Sequence, residues 1–228
     1  WQFALSPPLT GLLLWVKADP ISGLSDGDGV ALWEDQSGSG NDVTQTTAAE
    51  RPVYRSSVIG SLPSVQFTRT SSHSIGRSAY LTSDNEPWSI FAVLQPPSTT
   101  GEQVPVYNGQ DVKGWGLATS TDTDKKGALF GFVAWMSSPV ASDTAAQLYG
   151  LIRSTAATYL YLDGTEYEIG GPSPSSPSAD GFSIGREDAG GQPRHFDGYI
   201  SEVLVYGTNL NATDRVTVES YLMGKYGL

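Results

Sequence analysis

Apolar and polar residues alternate along most of the chain, and the pattern is punctuated by Gly, Pro, Asn and Asp. A period of two places successive side chains on opposite faces of a strand. Leu12-Leu13-Leu14-Trp15-Val16 reads as a first, well-buried strand, and Val30-Ala31-Leu32-Trp33 as the next, after an Asp26-Gly27-Asp28-Gly29 turn. Ser37-Gly38-Ser39-Gly40-Asn41 ends it. Pro52-Val53-Tyr54 and Ser64-Val65-Gln66-Phe67 are short strands, and Trp88 to Leu94 is a strong central one stopped by Pro96-Pro97.

The second half repeats this grammar at residues 103–107, 115–119, 128–135, 147–153, 158–162, 182–185 and 199–206. Asp163-Gly164 predicts a two-residue type I′ hairpin, which needs positive φ at both positions. The Gly, Pro and Ser residues of 170–177 read as a loop. One helix stands out, near the C-terminus. Asn211 is suited to cap it, Asp214 suits the positive end of the helix dipole, and Gly227 is placed as its stop. Val218, Tyr221 and Leu222 share one face. Many short strands with regularly spaced turns predict an all-β sandwich.

The composition agrees. Only 16% of the 228 residues are charged, against about 25% in average domains. A chain of this length buries enough surface for one ordinary core. The formal net charge of -11 argues against nucleic acid and anionic membrane surfaces, which attract clustered Lys and Arg. No apolar run approaches the ~18 residues that span a bilayer, so membrane insertion is not expected. With no Cys and only two His, His73 and His195, thiol-based zinc sites are excluded, and no HExxH spacing is present. His73 reads as a surface residue. The start is apolar but has no basic n-region, and there is no initiator Met. These features are read as those of a processed or excised piece, with residues 1–10 an arm or linker and 11–228 one domain.

Three stretches carry a resemblance. Leu14-Trp15-Val16-Lys17-Ala18-Asp19 is followed by Leu32-Trp33-Glu34-Asp35-Gln36-Ser37-Gly38-Ser39-Gly40-Asn41-Asp42. Pro63-Ser64-Val65-Gln66-Phe67 lies between. Phe196-Asp197-Gly198-Tyr199-Ile200-Ser201-Glu202-Val203-Leu204-Val205-Tyr206 and Tyr221-Leu222-Met223-Gly224-Lys225-Tyr226-Gly227-Leu228 close the chain. In this order they resemble the laminin G-like members of the concanavalin A-like lectin/glucanase superfamily. The resemblance implies a jelly-roll β-sandwich of two antiparallel sheets with a short C-terminal helix. It also implies a noncatalytic module that binds a glycan or cell-surface polysaccharide, or serves adhesion. Such modules occur on extracellular, cell-surface or virion-surface proteins, and some bind Ca²⁺. The alternative is a structural, decoration or fibre domain engaged with other chains of an assembly through Trp1 to Pro8.

An enzyme ranks third. The Glu-x-Asp-x-x-Glu strand of the glucanase branch is absent, and Glu166-Tyr167-Glu168 has the period without the middle acid. No Gly-x-Ser-x-Gly elbow occurs. For sugar stacking the candidates are Tyr80, Trp88, Tyr107 with Asn108, Trp115 and Trp135. Trp115 leads, because Gly114 and Gly116 leave room for a ligand. Trp15, Trp33 and Phe91 read as core. For Ca²⁺ the candidates are Asp26 with Asp28, and Asp35 with Asn41 and Asp42; Asp122 and Asp124 form a third acidic loop. Asp35, Asn41 and Glu202 also have a structural reading: side-chain to backbone hydrogen bonds in a turn for the first two, and a satisfied buried backbone group or an edge for the third.

Overall fold

The computed structural model describes residues 6–82, 86–97, 99, 101–110, 113–131, 134–171, 181–187 and 194–228. Two large antiparallel sheets face each other. The first runs in the order Thr165–Gly170, Thr158–Leu162, Gln147–Arg153, Trp88–Gln95, Gly198–Tyr206, Leu62–Phe67, Val53–Ile59, and Leu12–Lys17 also pairs with Gly198–Tyr206. The second runs Ala134–Ala141, Lys125–Phe130, Lys113–Ala118, Val106–Gln110, Phe182–Ile184, Ile75–Arg77, Val43–Thr44, Leu32–Trp33. A small ribbon joins Arg186–Glu187 to Arg194–His195. The helix is Ala212–Tyr226.

The first sheet is covered on both faces, so its central strands are apolar without alternation. Trp88–Gln95 is buried throughout except at its last residue. Ile90, Ala92 and Leu94 face the interior between the sheets, while Phe91 and Val93 join Tyr221, Leu222 and Tyr226 of the helix on the other side. The second sheet carries only a small cluster on its outer face, built from Val104, Tyr107 and Leu129, with Trp135 half-buried against it.

A β-bulge at Ser201 decides one side chain's fate. Pairing with Trp88–Gln95 jumps from Ile200↔Leu94 to Glu202↔Val93. The extra residue reverses the alternation, so Ile200 and Val203 both face the interior and Glu202 turns toward the helix. The Ser201 and Ser64 hydroxyls lie 2.7 Å apart at the bulge.

The expected hairpin at Asp163-Gly164 is present, with φ of 48° and 80°. The helix starts where Asn211 accepts from the Thr213 and Asp214 amides and ends at Gly227. Residues 128–135, expected as one strand, are the two arms of a hairpin in which Phe130 pairs with Ala134. Residues 172–177, most of the expected loop at 170–177, lie outside the described residues, as do residues 1–5 of the expected arm. Of the stretch expected as an arm, Pro7 is buried and the Pro8 carbonyl accepts from Tyr206 Oη at 3.1 Å.

Candidate functional site

The three motif stretches turn out to be structural joints. Asp35 gathers four donors: the amides of Trp15, Ser37 and Asn41, each at 2.9 Å, and the Ser37 hydroxyl at 2.8 Å. Asn41 Nδ2 donates to the Leu13 carbonyl at 2.7 Å. This turn therefore caps the open edge of the first strand, the physical need of any edge strand. Asp42 accepts from the Asp35 amide at 2.7 Å. Asp28 accepts from the Ser25 amide at 2.7 Å, and Asp26 from the Ser56 amide at 2.9 Å and Arg55 at 3.2 Å. The Ser56 amide and Arg55 hold the Asp26 carboxyl below its ordinary value, despite an opposing desolvation. Among the described residues no group of three or more His, Asp or Glu side chains is placed to hold a metal.

Glu202 is fully buried under the helix. Its Oε1 accepts from Trp15 Nε1 at 2.5 Å and Tyr221 Oη at 2.9 Å; its Oε2 accepts from Lys225 Nζ at 2.7 Å and Tyr226 Oη at 2.9 Å. Its partners are side chains, not the backbone group expected. His73, expected at the surface, is 8% exposed, and burial pushes its imidazole below the ordinary value against a hydrogen bond that the ring donates to the Gln66 main chain.

Trp115 is not available to a sugar. It is fully buried and stacks on Trp88, ring centroids 3.7 Å apart and planes 12° from parallel, between the two sheets. Trp88 is equally buried. The space beside Gly116 is on the opposite face and belongs to Tyr107. A Cβ at Gly116 would sit 2.5 Å from Tyr107 Cδ2, so the glycine admits the cross-strand tyrosine, not a ligand. Tyr107 is itself fully buried. Trp135 is half-buried, with the Arg194 guanidinium 5.3 Å from its ring centre.

Asn108 is buried but informative. Its Oδ1 accepts from the Leu81 amide at 2.6 Å, and its Nδ2 donates to the Thr82 carbonyl at 2.8 Å. It clamps the segment that presents Tyr80, which at 37% exposure is the one aromatic among the exposed large apolar residues described.

Beside that segment a cleft of about 380 Å³ crosses the outer face of the second sheet. Thr44, Ser74, Gly76, Arg77 and Ser183 line it from three adjacent strands and the residue before one of them, with Gln45 and Arg186 beside them. The pairings Thr44↔Gly76 and Ser183↔Gly76 set the floor. Gly76 keeps it low: a Cβ there would lie 2.4 Å from the Phe182 carbonyl oxygen. Arg77 Nη1 donates to the carbonyls of Ala79 at 3.2 Å and Tyr80 at 3.5 Å, so cleft and tyrosine are tied together. A second cleft of about 240 Å³, between Lys17 and Gln36, is lined more by apolar groups, among them Pro20, Ile21, Leu24 and Leu32.

Of the residues singled out in the sequence, Tyr80 is exposed and Asn108 is a buried clamp, and none of them lines the cleft. The alternation Phe182-Ser183-Ile184 does place Ser183 opposite the core, but nothing local says that this face is open.

The family described as the concanavalin A-like lectin/glucanases superfamily matches residues 58–214. No curated relative matches the sequence. Among solved structures, domain 4 of an extracellular arabinanase from Geobacillus stearothermophilus, in complex with arabinotriose, is similar over 92% of this chain and 98% of its own, with 14% identity and a TM-score of 0.67. Trypanosoma rangeli sialidase in complex with sialic acid matches 96% of this chain with 16% identity and a TM-score of 0.60, and the match spans 34% of the sialidase. The receptor binding domain of botulinum neurotoxin D matches 94% of this chain and 54% of its own, with 11% identity and a TM-score of 0.61. At these identities the likeness is one of fold.

Proposed function

The chain belongs to the concanavalin A-like lectin/glucanases superfamily, and we propose that it is a noncatalytic carbohydrate-binding module whose site is the cleft between Thr44 and Arg186, with Tyr80 at its rim. The observation that carries this reading is the cleft's lining. Thr44, Gln45, Ser74, Arg77 and Ser183 line one shallow opening, where the Ser183 hydroxyl donates to the Arg186 carbonyl at 2.6 Å and Gln45 Nε2 to the Ser74 carbonyl at 2.9 Å. A sugar presents a row of hydroxyls, and such groups donate to and accept from them. Tyr80 adds an exposed ring for an apolar sugar face. Among the described residues the lining holds no carboxylate, and most glycoside hydrolases work with a pair of them. The arabinanase domain that shares the fold is in complex with arabinotriose. A secreted or surface protein is the natural setting for such a module.

A glycan array on the purified chain, run with Ca²⁺ and with a chelator, tests the reading. Binding to one sugar class is expected, and it should survive chelation because the lining supplies its own donors. Thr44 is exposed at the cleft, so Thr44→Trp should fill the cleft and abolish binding without disturbing the core. Retention of binding in that variant, or silence of the wild type across the array, would reject the reading.

A further inference from the structure

The charges around the cleft run against those of the chain. The protein carries 24 acidic and 13 basic residues. Yet the two charged side chains lining the cleft are both arginines, Arg77 and Arg186, with no Asp or Glu among the described lining residues. Both are half-buried. Arg77 pairs in register with Phe182, and Arg186 begins the ribbon strand Arg186–Glu187 just after Phe182–Ile184. Arg77 spends Nη1 on two main-chain carbonyls and makes no ion pair with a described carboxylate. Gln45, on the opposite wall, lies 3.5 Å from the Glu50 carboxylate, which faces it from the short helix Ala48–Glu50.

A guanidinium fixed by carbonyls keeps its planar fork pre-set for a second, bidentate partner, and carboxylates and sulfates match that fork. Resting on the reading of the cleft as the sugar site, we infer that the ligand carries an acidic sugar, a uronate carboxylate or a sulfate ester, bound through Arg77. The rest of the protein restricts this choice. A net charge of -11 repels a dense polyanion, whereas screening over about 8 Å at physiological salt isolates a single charge at the cleft. The preferred ligand is therefore one acidic residue within a mostly neutral oligosaccharide.

An array of matched pairs tests this: uronate-bearing oligosaccharides beside their methyl esters, and sulfated oligosaccharides beside their desulfated partners. The acidic member of at least one pair should bind about tenfold more tightly or better, the worth of one charge-assisted fork. The pair type that responds identifies carboxylate or sulfate. Arg77→Gln should erase the preference, and Arg77→Lys should keep part of it, with melting temperatures confirming that the variants fold. Neutral members binding as well as acidic ones would overturn the acidic-ligand inference and leave the sugar site standing. Silence of every pair would overturn both. A preference that survives Arg77→Gln would also overturn the assignment to this arginine.

Discussion

The Tyr226 hydroxyl, in the last turn of the helix, donates to the Glu202 carboxylate of the central strand at 2.9 Å. This bond joins two of the sequence stretches by which the family is recognised. Trp15, Tyr221 and Lys225 complete the set, so the opening motif, the closing strand and the helix converge on one fully buried carboxylate. Asp19 accepts from the far side of Lys225 at 2.8 Å. A buried charge is tolerable only when its lone pairs are met. Here four donors meet two oxygens.

Removing that charge should loosen the helix. Glu202→Ala leaves the Trp15 indole and two tyrosine hydroxyls without their partner and Lys225 with Asp19 alone, and losses of about 3–5 kcal/mol are typical for one half of a buried pair. Chemical denaturation should show the loss. Sugar binding by the remaining folded protein should be little changed, since the cleft lies on the other sheet.

The same cluster predicts an alkaline limit. Burial first, and then the Glu202 charge, push the Tyr221 and Tyr226 hydroxyls well above the ordinary value of 10.0. A tyrosine raised on folding contributes stability that is present below the unfolded value and lost as pH rises past it. Stability should fall above about pH 10, and tyrosinate absorbance at 295 nm should grow together with unfolding. Tyrosinate formation by these two residues in the folded state near pH 10 would contradict the geometry.

At the acid end His73 acts in the other direction. Burial depresses its imidazole below 6.5, so the unfolded chain binds the proton more readily. Stability should decline as pH falls through 6.5, by at most about 1.4 kcal/mol per unit for one proton. His73→Gln should flatten that slope in urea titrations followed by fluorescence.

The Trp88–Trp115 stack makes Trp115 a core residue. Trp115→Ala should cost about 3–5 kcal/mol, the range for emptying a large aromatic site. The near-ultraviolet dichroism of the stacked indoles should collapse in the same variant. Any loss of sugar binding there should track loss of folded protein.

Much of this fold was legible from local chemistry. Asp163-Gly164 can adopt the left-handed pair that its turn demands, and Asn211 caps the helix because its side chain reaches two free amides. The Ser-Gly repeat after Asp35 reads as a turn for the same reason. The site was less legible, because exposure is a property of the whole sandwich. Gly114 and Gly116 look like access for a ligand, yet the space they leave is filled by Tyr107, which comes from the neighbouring strand. Residues 128–135 hide a hairpin because apolar residues occupy both of its arms. Glu202 looks like an edge residue until the bulge at Ser201 turns it beneath the helix. The cleft is assembled from short strands distant in sequence, and its serines and threonines carry no local signal.

The most direct test is a titration of ¹⁵N-labelled protein with the strongest oligosaccharide from the array, followed by amide chemical shifts. The account predicts shifts centred on Thr44, Gly76, Arg77, Tyr80 and Ser183. Shifts centred instead on the cleft between Lys17 and Gln36, or around Trp135, would contradict it.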